Sequence, residues 1–318
     1  MSATYLAIDA GKTGTRAVVV DAGLRSATVT GRGLDNVAAI GGLEAVRSVL
    51  QEALARLPSL ATAYDGVCIG LTGVLSPGHH AARVLGLLGA LAPARRVVVT
   101  SDAVTSYCGA LGLRAGVVVA AGTGTVTLGV GPDGRLARVG GWGYLLDDGG
   151  SAFAIGRAGV RAALRTSDGR SAAEELLLAA RSRFGGTDAI VDAVYGAANP
   201  PSLVASFAPD VVALARAGDR SAAGIVEDAA AQLADGVAAA ARRAFGTHRP
   251  VPVSWCGGVF RAGSVILEPF HRALDLAVDG AQPRPPAGDA LDGAALLAAS
   301  AGPTPLDALL RVAEGSPA

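Results

Sequence analysis

The chain has 318 residues, of which 51% are hydrophobic and 17% charged, and its formal net charge is zero. This length allows two domains with sizeable cores, and zero net charge argues against a nucleic-acid partner, which would need a basic surface. The chain contains no run of about 18 uncharged apolar residues and no secretion signal. Its three cysteines are widely spaced. These features predict a cytoplasmic protein without a membrane partner.

The first predicted elements are strands at Tyr5–Ile8 and Val18–Val20, joined by a turn rich in glycine and hydroxyl groups. The turn consists of Gly11, Lys12, Thr13, Gly14 and Thr15. Its N–H groups and hydroxyls can bind a phosphate because glycine lets the backbone approach closely, and Mg²⁺ beside the phosphate would explain Asp9. Lys12 is the only lysine of the chain, and it either binds the phosphate or lies by chance on an exposed turn.

The next predicted elements lead to a carboxylate at the end of a strand. They are a strand near Ala27–Thr30, a helix at Leu43–Leu57, a strand at Gly66–Leu71, a helix at Ala81–Leu91, a strand at Arg96–Thr100 and a helix at Ala103–Leu111. Asp102 lies between the last two elements. It could cap the helix, act as a catalytic carboxylate, or do both.

The opening pattern recurs about 110 residues later, where strands at Val117–Ala121 and Val126–Val130 surround the turn Gly122–Thr125. Both turns contain Ala-Gly followed by Thr-Gly-Thr, but the second copy has alanine in place of Asp9 and no counterpart of Lys12. The repeat indicates an internal duplication. We therefore predict an α/β protein with an N-terminal lobe of residues 1–112 and a C-terminal lobe of residues 113–318, with the last helix able to pack back on the N-terminal lobe.

A glycine-rich loop, Gly140–Ser151, follows the second hairpin and contains a tryptophan and two adjacent aspartates. This composition favours a binding site over a flexible surface loop, and Ser151 can cap the next helix. Helices are then predicted at Ala152–Leu164, 171–183, 187–196, 202–217, 220–245, Ala262–Leu274 and Asp289–Ala301, with a strand at Pro250–Trp255. Gly257 and Gly258 follow that strand and leave room for a flat ring such as adenine.

Five pieces stand in one order: Asp9–Thr15, Asp102, Gly122–Thr125, Gly140–Ser151 and Gly257–Gly258. Together they resemble the N-acetylglucosamine kinase-like family, also called BadF-type ATPases, in the superfamily of actin, heat-shock chaperones and sugar kinases. The resemblance spans nearly the whole chain. It implies two actin-like, ribonuclease H-like lobes with an ATP cleft between them, a Mg²⁺ cofactor, a small sugar substrate and a homodimer.

The resemblance also implies roles for individual residues. The β- and γ-phosphates of ATP are expected at Gly11–Thr15, with Asp9 holding Mg²⁺ through water. Asp102 matches the catalytic base and also a sugar contact. The second phosphate turn is expected at Gly122, Thr123 and Gly124, and the adenosine motif at Gly257 and Gly258. The remaining sugar contacts are expected at Asn36, Trp142, Gly143 and Asp148.

Two departures from the family pattern affect the phosphate turn and the sugar loop. The first turn usually reads D-G-G-G-T-K-T, so Lys12 has moved two residues and Gly14 takes the lysine position. The sugar loop usually reads L-G-D-E-G-S, whereas here the glutamate is lost at Gly149 and a carboxylate is gained at Asp147. An anionic pocket could favour a protonated amine, so N-acetylglucosamine and glucosamine both stay open.

The predicted function is that of an ATP-dependent kinase, transferring the γ-phosphate to the 6-hydroxyl of one of these amino sugars. One alternative is an activator ATPase of a CoA-ester dehydratase or reductase, which would need closely placed thiolates for an iron–sulfur cluster. Cys68, Cys108 and Cys256 offer no such set. A second alternative is a non-catalytic sugar sensor on the same fold, and the presence of both Asp9 and Asp102 argues against it.

Overall fold

The computed structural model describes residues 3–34, 41–57, 63–74 and 80–315, and the chain forms two compact units. Unit 1 comprises Met1–Ala115, Asp133–Leu136 and Pro285–Ala318, and unit 2 comprises Gly116–Pro132 and Ala137–Arg284. The division expected from the sequence ended the first lobe at residue 112 and gave residues 113–318 to the second lobe, with the last helix able to pack back on the first. In the structure the C-terminal segment Pro285–Ala318 belongs to unit 1, because it adds a strand to the sheet and a helix to the core of that unit.

Strands dominate the start of each unit, and helices dominate the middle of unit 2. The strands are β1 (Thr4–Ala10), β2 (Thr15–Asp21), β3 (Leu24–Arg25), β4 (Val29–Gly31), β5 (Tyr64–Leu71), β6 (Ala94–Thr100), β7 (Gly116–Ala121), β8 (Thr125–Val130), β9 (Leu136–Gly140), β10 (Val251–Cys256), β11 (Ala281–Pro283) and β12 (Arg311–Glu314). The α-helices are α1 (Gly42–Leu54), α2 (His80–Leu91), α3 (Asp102–Leu111), α4 (Ala152–Ser167), α5 (Glu174–Phe184), α6 (Thr187–Gly196), α7 (Pro200–Ala205), α8 (Ala208–Arg216), α9 (Arg220–Phe245), α10 (Ser264–Ala277) and α11 (Ala290–Ala299). Short 3₁₀ helices cover Gly258–Ala262 and Asp307–Leu309.

The sheet of unit 1 brings three parallel strands to one edge. Its order is β12–β6–β5–β1–β2–β3, with β4 also paired to β2. β5 runs parallel to both β1 and β6, whereas β2 is antiparallel to β1. Buried aliphatic side chains such as Leu6 and Ile69 form one core with Leu50 of α1, as expected for strands covered by helices. The carboxyl ends of β1, β5 and β6 therefore meet at one edge, which continues into the first turn, Thr72 and Asp102.

Helices α3 and α11 touch along their backbones within unit 1. A Cβ atom at Gly109 would lie 1.9 Å from the carbonyl oxygen of Asp289, and a Cβ atom at Gly293 would lie 1.9 Å from that of Thr105. Only glycine fits at two such contacts, since real side-chain atoms do not approach backbone oxygens so closely. Asp289 and Asp292 form a capping box that fixes the start of α11.

Unit 2 repeats the arrangement around the first hairpin. Its sheet has the order β11–β10–β7–β8–β9, in which β7 is antiparallel to β8 and parallel to β10. In each unit, a hairpin thus lies beside a strand parallel to its first strand. The long helix α9 packs against β7, β8 and α10 through a buried face made mostly of alanine. The duplication predicted from the two turns is therefore visible in the strand pairing.

Some predicted elements differ in the structure. The helix predicted at 202–217 is two helices, α7 and α8, because Pro209 lacks an N–H donor and is tolerated only in the first turn of a new helix. The helix predicted from Ala262 begins at Ser264, after the 3₁₀ helix that starts at Gly258. Of the helices in the described ranges, none is long and apolar enough for a membrane span.

Candidate active site

The first turn is closed by backbone hydrogen bonds. Gly11 N–H donates to the carbonyl of Gly14, and Leu34 N–H donates to the carbonyl of Gly11, both at 3.0 Å. A Cβ atom at Gly33 would lie 2.1 Å from the carbonyl oxygen of Lys12, so this neighbouring loop lies directly against the turn. The hydroxyl of Thr15 is buried and has no hydrogen-bond partner within the described residues. A buried hydroxyl without a partner is uncommon, and this one is suited to donate a hydrogen bond to an oxygen atom of a bound phosphate.

The second turn has the same construction. Gly122 N–H donates to the carbonyl of Gly124 at 2.9 Å, and N–H groups at the start of α4 donate to carbonyls of the turn. The hydroxyl of Thr125, which is equivalent to Thr15, is again buried without a hydrogen-bond partner in the described part of the chain. The likeness of the two turns thus extends from the backbone to an orphaned side-chain oxygen in each.

A cross-strand ion pair holds the carboxylate of Asp9. Asp9 and Arg16 lie opposite each other in the first hairpin, and Arg16 Nη2 donates to Asp9 Oδ2 at 2.7 Å. Arg16 Nη1 donates to Asp289 Oδ2 at 2.9 Å. Burial raises the pKa of Asp9, and the hydrogen bond and charge of Arg16 oppose this rise. Arg16 therefore connects the predicted metal carboxylate to the N-cap of α11.

Asp102 begins α3 without capping it. Ser101 is the N-cap residue, and its Oγ accepts a hydrogen bond from Val104 N–H at 3.2 Å. Asp102 Oδ1 accepts from Ala103 N–H at 2.9 Å. Of the two roles that the sequence allowed, the capping role is taken by the neighbouring serine, so the carboxylate of Asp102 is not needed to begin the helix.

The environment of Asp102 raises the pKa of its carboxyl group toward neutral pH. Desolvation raises the pKa of Asp102 to about 6, and the negative charge of Asp9 adds to this rise. The Ala103 N–H, the positive charge of Lys12 and the hydroxyl of Thr72 act in the opposite direction. A carboxylate with a pKa near 6 is ionised at pH 7 and is still a better proton acceptor than an ordinary aspartate.

The carboxylate of Asp9, which is close enough to Asp102 to influence its pKa, fits a Mg²⁺ ion bound through water. The two carboxylates repel each other, since the charge of Asp9 raises the pKa of Asp102, and a divalent cation would relieve this repulsion. Within the described residues, no group of three or more His, Cys, Asp or Glu side chains is arranged to hold a metal ion. Mg²⁺ is commonly bound by one or two carboxylates together with water and substrate phosphates. The site fits an ion of that kind.

The predicted sugar loop places Asp148 against the second turn. Asp148 is buried and has a left-handed backbone with φ of 69°. Its Oδ1 accepts a hydrogen bond from Thr125 N–H at 3.2 Å. A Cβ atom at Gly124 would lie 2.7 Å from Oδ2 of Asp148, which explains the glycine in the turn. The structure thus brings one predicted sugar contact against the second turn, which is predicted to bind phosphate.

The other predicted sugar contacts are less enclosed. Trp142 is 64% exposed, and the guanidinium of Arg138 lies 5.1 Å from the centre of its ring. Gly143 has φ of 91° and allows the loop to turn beside it. Asn36 lies outside the described residues.

The predicted adenosine motif is fixed by a close backbone contact. Gly257 has φ of 101°, and a Cβ atom there would lie 2.3 Å from the carbonyl oxygen of Ala121 at the end of β7. Gly258 begins the 3₁₀ helix. Gly257 therefore needs to be glycine both for its backbone conformation and for its contact with the strand that leads into the second turn.

Sequence reasoning missed Arg16, Thr72 and Asp289. A signal for Arg16 existed, because the hairpin register that pairs Ala10 with Thr15 places Arg16 opposite Asp9. For Asp289 the sequence gives no such signal, since the contact joins chain segments 273 residues apart.

The fold is that of actin-like sugar kinases. A ROK family glucokinase from Streptomyces griseus, solved in complex with glucose and AMPPNP, aligns with a TM-score of 0.60 at 21% identity, covering 93% of this chain and 99% of that one. A candidate N-acetylglucosamine kinase from Chromobacterium violaceum aligns with a TM-score of 0.72 at 28% identity, covering 93% and 98%. The predicted fold class is confirmed.

The family follows from the sequence match. The model of the BadF/BadG/BcrA/BcrD ATPase family matches residues 6–298, and the chain belongs to this family, as the motifs predicted. An N-acetylmuramic acid/N-acetylglucosamine kinase from Clostridium acetobutylicum is 27% identical over 246 residues, 73% of this chain and 78% of the relative. An N-acetyl-D-glucosamine kinase from Dictyostelium discoideum is 29% identical over 175 residues, 52% and 55%. These comparisons support the predicted enzyme class, an ATP-dependent sugar kinase.

Proposed function

We propose that this protein is an ATP-dependent amino-sugar kinase that phosphorylates the 6-hydroxyl of N-acetylglucosamine or glucosamine. The observation that carries the proposal is Asp102, a carboxylate with a pKa of about 6 that follows β6, where three parallel strands end at one edge of the sheet. Its charge is influenced by both Asp9 and Lys12 of the first turn. A base placed beside a phosphate-binding turn is what transfer to a hydroxyl group requires.

Asp102 is proposed to act on the acceptor sugar. Its carboxylate accepts the proton of the sugar hydroxyl as the hydroxyl oxygen attacks the γ-phosphorus and the bond to the β-phosphate oxygen breaks. Phosphoryl transfer has a loose transition state, so catalysis is mainly positioning and charge neutralisation. A base with a pKa near 6 suits this task at neutral pH.

The two turns are proposed to hold the phosphates of ATP. Backbone N–H groups and the orphaned hydroxyls of Thr15 and Thr125 are the donors, with Gly11–Gly14 and Gly122–Gly124 as the surrounding backbone. Gly257 and Gly258 are proposed to lie against the adenosine. Asp9 would hold Mg²⁺ through water, and the ion would supply positive charge to the phosphates.

The acceptor sugar is proposed to contact Asn36, Trp142, Gly143 and Asp148. Asp148 already accepts a hydrogen bond from the second turn, so it can couple sugar binding to phosphate binding. Asp147 is exposed and could favour the protonated amine of glucosamine. The homodimer and the cytoplasmic location stay predictions.

A substrate panel tests the proposal. The protein is incubated with MgATP and, in turn, N-acetylglucosamine, glucosamine, N-acetylmannosamine and glucose, and the product is identified by mass spectrometry and NMR. We expect kcat/KM for the preferred amino sugar to exceed that for glucose by about 10²-fold or more, with phosphate on O6. Sugar binding without turnover would indicate a sensor, and ATP hydrolysis unaffected by any sugar would contradict the kinase.

Lys12→Ala is expected to weaken ATP binding and to shift the pH profile. Removal of a charged phosphate contact should raise KM for ATP about 10- to 100-fold. The positive charge of Lys12 lowers the pKa of Asp102, so its loss should move the acidic limb of kcat/KM to higher pH. Lys12→Arg retains the charge and is the matched control. If Lys12→Ala has the same KM for ATP and the same pH profile as the parent, Lys12 is a surface residue without a role in ATP binding.

A further inference from the structure

A cavity of about 510 Å³ lies within unit 2, apart from the residues assigned above to ATP and to catalysis. It is bounded by α4, by α9 and by the segment Tyr144–Gly150. Among the predicted sugar contacts, Trp142, Gly143 and Asp148 do not line it. Asp147, proposed above to favour an amine on the acceptor sugar, is the one residue assigned in the proposed reaction that lines the cavity.

One wall of the cavity is a row of three arginines. Arg157, Arg161 and Arg165 are spaced four residues apart on α4, so their side chains follow one face of the helix for about 12 Å. Arg157 lies 5.5 Å from the centre of the Phe153 ring and Arg165 donates to the carbonyl of Arg170 at 3.4 Å, but none of the three makes an ion pair with a described acidic side chain. Like charges at this spacing are unfavourable in a helix, and a bound anion would remove the repulsion.

The opposite wall is polar and the rim is apolar. Asp228 and Gln232 of α9 line the cavity, and Gln232 Nε2 donates to Asp228 Oδ2 at 2.6 Å. Leu145 and Leu146 lie at the rim and are 80% and 82% exposed. A concave site with clustered cations, hydrogen-bonding groups and exposed apolar surface has the composition of a small-molecule site.

We propose that this cavity binds a small hydroxylated anion, namely a sugar that carries a phosphate or carboxylate group. Guanidinium groups bind both kinds of anion through paired, charge-assisted hydrogen bonds. Asp228 and Gln232 are placed to bind the hydroxyl groups of the same ligand. Apart from Asp147, the residues that line the cavity lie outside the proposed kinase site, so variants of the arginines test this proposal separately from the kinase assignment.

The test is calorimetric titration of the full chain without ATP. The ligands are N-acetylglucosamine 6-phosphate, N-acetylmuramic acid, inorganic phosphate and neutral N-acetylglucosamine, so that the phosphate and carboxylate sources are separated. Arg161→Gln should weaken binding of the anionic sugar about tenfold or more, the loss expected for one charge-assisted contact. Arg272→Gln, an exposed arginine of α10 outside the cavity, is the matched control and should bind as the parent does.

Further variants separate this cavity from the catalytic site. Asp102→Asn should leave binding of the anionic sugar unchanged, and Arg161→Gln should leave kcat and KM of the kinase reaction unchanged. If Arg161→Gln lowers the unfolding temperature, Arg165→Gln takes its place. Absence of binding by either anionic sugar, an equal loss of neutral N-acetylglucosamine binding in Arg161→Gln, or an equal loss of anionic-sugar binding in Arg161→Gln and Arg272→Gln would each overturn the proposal.

Discussion

Replacement of Asp102 by asparagine is expected to lower kcat about 10²- to 10⁴-fold, the range for loss of a general base. KM for ATP should change little, because the residues proposed to bind its phosphates stay in place. The substitution removes a group whose folded pKa, about 6, lies above the usual value of 3.8. Ionised Asp102 thus destabilises the fold. This destabilisation grows as the pH rises from about 4 to 6 and stays constant above pH 6. Asp102→Asn should therefore be at least as stable as the parent at pH 7.

Two measurements decide this prediction. Steady-state kinetics give kcat and KM, and thermal unfolding shows that the variant is folded. Asp275→Asn is the control, because Asp275 is an exposed carboxylate on α10. Its removal should change neither the steady-state kinetics nor the thermal unfolding. Near-normal sugar phosphorylation by Asp102→Asn would refute the assignment of the base. Equal loss of activity in both variants would mean that the effect is not specific to the site.

Local sequence patterns were sufficient to predict the two hairpins and the turns that join their strands. The two turns were recognisable because glycine, hydroxyl residues and flanking β-branched runs are short-range signals for a strand, a turn and a second strand. Comparison of the two turns then singled out Asp9 and Lys12. Both contribute to the pKa of Asp102 in the structure. The strand-to-helix junction at Asp102 was likewise predicted from local periodicity.

Contacts between distant segments were not predictable in the same way. Asp289 approaches Arg16 only because α11 returns to unit 1, and the hydrophobic pattern of α11 does not state which sheet covers it. Gln232 is a second case: a Cβ atom at Gly149 would lie 2.4 Å from its Oε1. Gly149, where the family pattern has glutamate, thus leaves room for a side chain from α9, a segment about 80 residues away in the chain.

Replacement of Gly293 by alanine is expected to destabilise unit 1 strongly. The added Cβ would lie 1.9 Å from the carbonyl oxygen of Thr105 and 2.5 Å from the N atom of Gly109, so α11 would have to move away from α3. Overpacking of a tight core costs roughly 1–3 kcal/mol or more, which exceeds the gain of about 1 kcal/mol from alanine in a helix. The free energy of unfolding, from urea denaturation, should fall by about 1–2 kcal/mol.

Gly86→Ala in α2 is the matched control and should have the opposite sign. Gly86 is an exposed helical glycine, and a Cβ atom there would meet no atom within 4 Å, so only the helix propensity changes and stability should rise by about 0.5–1 kcal/mol. Both variants replace a helical glycine by alanine, so opposite changes in the free energy of unfolding would identify the α3–α11 contact as the cause of the loss in Gly293→Ala. If Gly293→Ala were neutral or stabilising, α11 would not pack on α3 at this distance. The start of α11 would then not be fixed as described, and the bond from Asp289 to Arg16, and through it to Asp9, would lose its support.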